Sequence, residues 1–113
     1  MVTVYGIKNC DTVAKACQWL EANHIPFMFH DIRRDGLTRA NIKHWLSTLG
    51  PDTLINRRST TWKSLPAQTQ EKINDNAIDV LLEHPTLIKR PVIEHNAQLI
   101  AGFKADTYQQ FFS

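Results

Sequence analysis

Val2-Thr3-Val4-Tyr5-Gly6-Ile7-Lys8-Asn9-Cys10-Asp11-Thr12-Val13 opens the chain, and the fold turns on how it is read. Val2 to Tyr5 is a run of β-branched and aromatic residues, the composition of a short strand. Gly6 through Asn9 read as a loop. Asp11 or Thr12 can cap a helix that runs to about Asn23. Val13, Ala16, Cys17 and Leu20 recur at helical spacing and form its buried stripe. Asn23 and Pro26 stop the helix, and Phe27-Met28-Phe29-His30-Asp31-Ile32 follows as a second strand. Two strands joined by one helix at this tight spacing make a βαβ unit with a parallel pair.

Further along, Asp35-Gly36 is a turn signal. Thr38 caps a helix with Ile42, Trp45, Leu46 and Leu49 on its apolar face, and Gly50-Pro51 ends it. Residues 52–66 are mixed, with Pro66 as a break. A helical pattern then runs through Ile73, Ile78, Leu81 and Leu82. It weakens at Asp75-Asn76, which predicts two short helices, and Pro85 closes the block. Pro91 to Glu94 reads as a strand, Asn96-Ala97 as a turn, and Gln98 to Ala101 as the antiparallel partner. A short helix from about Ala105 carries Tyr108, Phe111 and Phe112 on its apolar side. The predicted order is βαβ, a helical block, then ββα.

The chain has 113 residues and 42% hydrophobic residues. That fits one domain, expected over 1–113 with the helical block at about 37–85 as an insertion. The net charge of +2 is too small to argue for nucleic acid. No apolar stretch is long enough to span a bilayer, and the first residues lack the pattern of a secretory signal. A cytoplasmic protein with no membrane partner is expected. None of the five histidines stands at zinc-site spacing with a cysteine or another histidine, so no metal is expected.

Chemistry concentrates at Cys10, which follows a strand and precedes a helix. The first N–H groups of a helix lack intrahelical partners, and the helix dipole adds positive charge there. Both favour thiolate over thiol, which makes Cys10 a candidate nucleophile, and the same N–H groups can hold an oxyanion. Lys8 adds to this charge and Asp11 subtracts from it. The plainer alternative is a buried loop cysteine without reactivity. Cys17 lies on the apolar stripe and reads as a small core residue. Cys10-Asp11-Thr12-Val13 lacks the second cysteine of a Cys-x-x-Cys pair. At Arg90-Pro91 the peptide can be cis, although a trans proline opening an edge strand is the ordinary case. Arg90 offers a fork of donors for an oxyanion or carboxylate. Arg57-Arg58, followed by Trp62, reads as an anion contact, a nucleic-acid contact or a solvated pair.

Three segments together resemble the arsenate reductase (ArsC)/Spx/YffB family over nearly the whole chain. They are Ile7-Lys8-Asn9-Cys10-Asp11-Thr12 between strand and helix, Leu54-Ile55-Asn56-Arg57-Arg58-Ser59-Thr60-Thr61-Trp62, and His84-Pro85-Thr86-Leu87-Ile88-Lys89-Arg90-Pro91-Val92-Ile93. Within that family the sequence looks like the small YffB-type proteins related to arsenate reductase. The resemblance implies an α/β, thioredoxin-like fold, a mixed sheet with a helical insertion. It implies that Cys10 is the catalytic thiol, that Arg90 faces it and that Pro91 takes the cis-proline position. Lys8, Asn9, Asp11, Thr12, Arg57 and Arg58 complete the expected substrate-binding set. Family members form mixed disulfides with glutathione that glutaredoxin resolves, so the resemblance implies glutathione as co-substrate and no bound cofactor.

True arsenate reductases surround the thiol with three arginines. The last aligns with Phe103, and the first with Asn56 unless a shift of one or two positions lets Arg57 or Arg58 replace it. Arsenate is multiply charged and needs those donors, so a less charged substrate such as a glutathione mixed disulfide is expected. The Spx branch, which binds RNA polymerase, usually carries Cys-x-x-Cys, and here Val13 replaces its second cysteine. The expected function is a thiol-dependent, glutathione- or glutaredoxin-coupled reductase acting on a small oxyanion or a mixed disulfide, without direct nucleic-acid contact. The alternatives are an Spx-like regulator that binds RNA polymerase and a true arsenate reductase.

Overall fold

The computed structural model describes residues 1–113. In chain order the elements are β1 (Val2–Gly6), α1 (Asp11–Ala22), β2 (Phe27–Asp31), α2 (Arg39–Leu49), α3 (Pro51–Leu54), α4 (Thr60–Ser64), α5 (Ala67–Glu71), α6 (Ile73–Glu83), a 3₁₀ turn (Pro85–Leu87), β3 (Val92–His95), β4 (Gln98–Ala101) and α7 (Ala105–Phe111). They divide into two compact units, residues 1–36 with 90–113, and residues 37–89.

The first unit holds a four-stranded sheet in the order β2-β1-β3-β4. β1 pairs parallel with β2 and antiparallel with β3, and β3 pairs antiparallel with β4. Val4 lies opposite Phe29 on one side and Ile93 on the other, and Ile93 lies opposite Ile100. Side chains alternate along a strand, so these four share one face. Ala16 and Leu20 of α1 and Tyr108 of α7 complete the buried core on that face. The Tyr108 hydroxyl donates to the Gly102 carbonyl at 2.6 Å, which ties α7 to the chain leaving β4. Burial pushes that phenol far above its ordinary range, with Cys17 adding to the effect. A βαβ unit and a ββα unit sharing one mixed sheet in this order make a thioredoxin-like fold.

Several boundaries differ from the sequence reading. Gly6 is the last residue of β1 rather than the first of a loop. α1 starts at Asp11, so Cys10 itself is the N-cap, in place of Asp11 or Thr12. The helix ends as expected at Asn23. His24 adopts a left-handed φ of 57, and its N–H donates to the Glu21 carbonyl at 3.1 Å while that of Ile25 reaches Leu20 at 2.9 Å. This is a Schellman closure, which satisfies the last carbonyls of the helix. β2 stops at Asp31, one residue early, and β3 starts after Pro91 and extends to His95.

Asp31 explains the end of β2. Its carboxylate accepts from the N–H groups of Arg33 and Arg34 at 2.9 and 3.1 Å. The Asp35 carboxylate accepts from the Asp31 N–H at 3.1 Å. The turn is thus built by side chains competing with the ladder for backbone donors.

The second unit is built of helices. Thr38 and Asn41 form a reciprocal capping box at the start of α2, with bonds of 3.0 and 3.1 Å. Ile42 and Trp45 are its buried residues, and Gly50, at φ 81, ends it. The mixed stretch resolves into α3 and α4, the latter capped by Ser59, whose Oγ accepts from the Trp62 N–H at 3.1 Å. Ile55 bridges Ile88, and the Asn56 and Lys89 N–H groups donate to Leu87 and Leu54, both at 2.7 Å. α6 is interrupted at Asn76 (φ −123, ψ 21), where the sequence pattern weakens. Its fully buried residues are Ile73, Ala77 and Leu81, while Ile78 and Leu82 are half-buried.

Two expectations follow. Asn96 and Ala97 join β3 to β4 with φ of 52 and 66. A left-handed alanine costs roughly 1–2 kcal/mol, and the extra freedom of an unfolded glycine offsets roughly half of that. Ala97→Gly is therefore expected to stabilise the protein by about 0.5–1 kcal/mol, read as a higher urea midpoint at unchanged slope; a lower midpoint would contradict it. Separately, the Arg34 N–H, followed by that of Arg33, holds the Asp31 carboxyl below its ordinary value. Its stabilisation is fully present above the unfolded carboxylate value of about 3.9 and is lost as pH falls through the lower folded value. Asp31→Asn should flatten the acid limb of the stability curve in that window, and an unchanged limb would exclude the turn as its origin.

Candidate active site

The topology puts the candidate residues of the sheet unit at one end of the sheet. The parallel strands β1 and β2 finish there, at Gly6 and Asp31, which are paired in register. The antiparallel β3 starts there, since Val92 lies opposite Tyr5. Cys10 is the last of the four residues that connect β1 to α1, and Arg90-Pro91 immediately precedes β3. The Arg90–Pro91 peptide is cis. Pro91 is fully buried, and its carbonyl accepts from the Gly102 N–H at 2.9 Å.

Cys10 is half-buried, with extended backbone (φ −115, ψ 119), and its carbonyl accepts the first intrahelical bond from Ala14 at 2.9 Å. No side chain caps α1. The N–H groups of the first turn are therefore not engaged by a side-chain acceptor, and the cysteine sulfur is attached at the residue where an acceptor would normally sit. Asn9, just before it, has a left-handed φ of 62. Lys8, Asn9, Asp11 and Thr12 are all exposed.

The arginines sort by what already holds them. Arg34 pairs with Asp35 at 3.1 Å, Arg39 with Asp79 at 2.6 Å and Arg57 with Asp52 at 3.1 Å. Arg57 also stacks over the Trp62 ring at 5.3 Å. Arg33, Arg58 and Arg90 carry no carboxylate partner, and of these Arg90 alone is half-buried while the other two are exposed. Arg57 and Arg58 belong to the helical unit and Arg90 to the sheet unit.

Phe103 and Asn56, where the resemblance leads one to look for arginines, have other tasks. Phe103 packs edge-on against Tyr108 at 4.8 Å between ring centroids. Asn56 accepts from the Arg58 N–H at 3.1 Å through its side chain, while its own N–H donates to Leu87. Neither offers a cation.

Cys17 differs chemically from Cys10. It packs against the core cluster of the sheet unit. Burial pushes its thiol up, and the Glu21 carboxylate one turn later adds to this. Seven residues of helix separate the two cysteines by roughly 10 Å along the axis, beyond the ~7 Å between Cα atoms that a disulfide spans.

A thioredoxin-like sheet with a single cysteine at a helix start and a cis-proline at the same end defines a class of thiol-bearing proteins. Within it, the chain belongs to the ArsC family, which matches residues 5–111. It is 45% identical over 114 residues, the full length of both chains, to an uncharacterized protein of Haemophilus influenzae. It is 31% identical over 113 residues to the global transcriptional regulator Spx of Bacillus subtilis, covering 98% of this chain and 86% of that one. Among solved structures, the YFFB (PA3664) protein superposes with a TM-score of 0.92 at 35% identity over 97% of each chain.

The raised Cys17 thiol yields a direct expectation. In native protein at pH 7–8, about the range where a model thiol begins to ionise, iodoacetamide should modify Cys17 slowly. Glu21→Gln should speed that modification by removing the repelling charge. An unchanged or slower rate would mean that Glu21 does not act on this thiol.

Proposed function

We propose that the chain is a thiol-dependent oxidoreductase in which Cys10 is the nucleophile and a second molecule supplies the resolving thiol. The observation that carries this reading is the placement of the two cysteines. Cys10 stands half-exposed at an uncapped helix N-terminus, and Cys17 lies on the same helix beyond disulfide reach. A disulfide formed by Cys10 is therefore intermolecular.

The reaction that fits is reduction of a glutathione mixed disulfide. The Cys10 thiolate attacks the glutathione sulfur, a Cys10–glutathione disulfide forms, and the original S–S bond breaks to release the other thiol as thiolate. A second glutathione, or glutaredoxin, then attacks the new disulfide and frees Cys10. The electrons come from the incoming thiols, and the substrate leaves reduced. The first-turn N–H groups and Arg90 stabilise negative charge on sulfur. Lys8 and Thr12, exposed beside Cys10, are the near contacts for the substrate, and Asn9 and Asp11 shape the same rim. On the helical unit, Arg57 is already held by Asp52 and Trp62, which leaves Arg58 the freer of the two to meet an anion.

Arsenate reduction is the weaker form of the same reading, because Asn56 and Phe103 leave fewer cations for a multiply charged oxyanion. The similarity to Spx favours a second reading, a regulator that binds RNA polymerase, in which Cys10 senses rather than catalyses.

The test is turnover of a cysteine–glutathione mixed disulfide by the purified protein with glutathione and glutaredoxin, alongside arsenate. Mixed-disulfide turnover should vanish in Cys10→Ser and persist in Cys17→Ser. It should fall about tenfold in Arg90→Ala, the size of one lost charge-assisted contact. Arsenate turnover should be low throughout. Turnover that survives in Cys10→Ser, or none in the wild type, would overturn the enzyme reading and favour the regulator. Rapid arsenate turnover would favour a true arsenate reductase.

A further inference from the structure

Gly6 of β1 faces Val13 in the first turn of α1. It occupies a strand, where glycine is ordinarily unfavourable, and its φ is not left-handed, so conformational freedom is not its purpose. Space is. A Cβ at this position would lie 2.9 Å from both γ-methyls of Val13 and 3.5 Å from Phe29 Cε1.

Val13 cannot rotate out of the way. Its two methyls fill two of the three staggered positions about χ1, so every rotamer keeps at least one methyl where the new Cβ would strike. Val13 is also 4% exposed, with Phe29 closing the other side of the gap. A side chain at position 6 must therefore displace the first turn of α1 from the sheet. That turn begins at Cys10. Because Tyr5 pairs with Val92 in an antiparallel ladder, the next step brings Gly6 opposite Pro91. Gly6 thus meets the thiol-bearing helix through Val13 and stands at the end of β1 where Arg90-Pro91 leads into β3.

We propose that Gly6 and Val13 are a positioning pair: the absent side chain of Gly6 seats Val13, and that seat sets the distance between Cys10 and the Arg90–Pro91 peptide. This rests on the reading of Cys10 as the reactive thiol and adds a specific determinant of its reactivity. Gly6 touches no substrate and acts through the helix.

The experiment compares wild type, Gly6→Ala, Val13→Ala and the double variant, each confirmed as folded by circular dichroism. Iodoacetamide alkylation of Cys10 is followed across pH. Gly6→Ala should slow alkylation at pH 7 by about threefold or more, as expected for coupling between contacting residues. Val13→Ala alone should also slow alkylation, because it empties the seat from the helix side, and the double variant should be faster than Gly6→Ala, because removing both methyls makes room for the new Cβ. Amide resonances of residues 10–13 give a second comparison that does not depend on reactivity. They should move in Gly6→Ala and return in the double variant. If Gly6→Ala does not fold, Val13→Ile narrows the same gap from the other side and takes its place. Unmoved resonances and rates in the single variant, or a double variant as slow as Gly6→Ala, would overturn the pair. A wild-type Cys10 no faster than Cys17, with the resonances still behaving as a coupled pair, would instead sink the nucleophile reading and leave the positioning intact.

Discussion

Strand β1 is hydrogen-bonded on both sides, parallel to β2 and antiparallel to β3, and that double pairing is the constraint from which the sheet unit follows. A strand fixed on two sides cannot slip by one residue without turning Val2, Val4 and Gly6 away from the core. With the register set, Phe29, Ile93 and Ile100 fall on the face where Ala16, Leu20 and Tyr108 pack. The same register sets which chain segments meet at the end of the sheet. β1 leaves it toward Cys10 at the point where Arg90-Pro91 enters it. The chemistry is therefore placed by backbone pairing, and the loop itself has little latitude.

Two thiols on one helix become unlike each other through their surroundings. Cys17 lies against the apolar core with Glu21 one turn away, and both effects disfavour its thiolate. Cys10 lies at the N-terminus of the helix, where the dipole favours negative charge and no side chain competes for the first N–H groups. The arginines are divided in a similar way. Asp35, Asp79 and Asp52 each occupy one, leaving Arg90 as the half-buried guanidinium without a carboxylate. A count of basic residues would not have made that distinction, because Arg57 and Arg90 look equivalent in the sequence.

Much of this architecture was legible from periodicity. The alternation in β1, the stripe Val13-Ala16-Leu20 and the turn at Asn96-Ala97 each carry a local signal, and together they point to the element order of a βαβ–ββα fold. The weakness of the α6 pattern at Asp75-Asn76 was also readable, since Asn76 leaves helical geometry. What escaped was set by tertiary contacts. Cys10 is the N-cap although Asp11 and Thr12 are better capping residues, because the short connection from β1 decides where the helix begins. α3 and α4 are too short to show a helical period, and the chain between them is anchored through Leu54, Ile55 and Asn56 to residues 87–89. Gly6 looked like a loop signal because glycine marks both turns and close approaches, and only the position of Val13 tells the two apart.

The place of Val13 also bears on why one thiol suffices. It stands three residues after Cys10, where the second cysteine of a Cys-x-x-Cys pair would be. In this chain that position is 4% exposed and filled against Gly6 by two methyl groups. A valine there serves packing and gives up the internal thiol that could close a disulfide with Cys10. Cys17 cannot take over that task at two helical turns' distance. Under the proposed chemistry, the same contact that seats the helix start therefore commits the protein to an external resolving thiol. That in turn requires access to Cys10 by a second molecule after the first disulfide has formed. A half-buried cysteine at the end of the sheet, flanked by the exposed Lys8, Asn9, Asp11 and Thr12, meets that requirement, whereas a fully buried one would trap the intermediate.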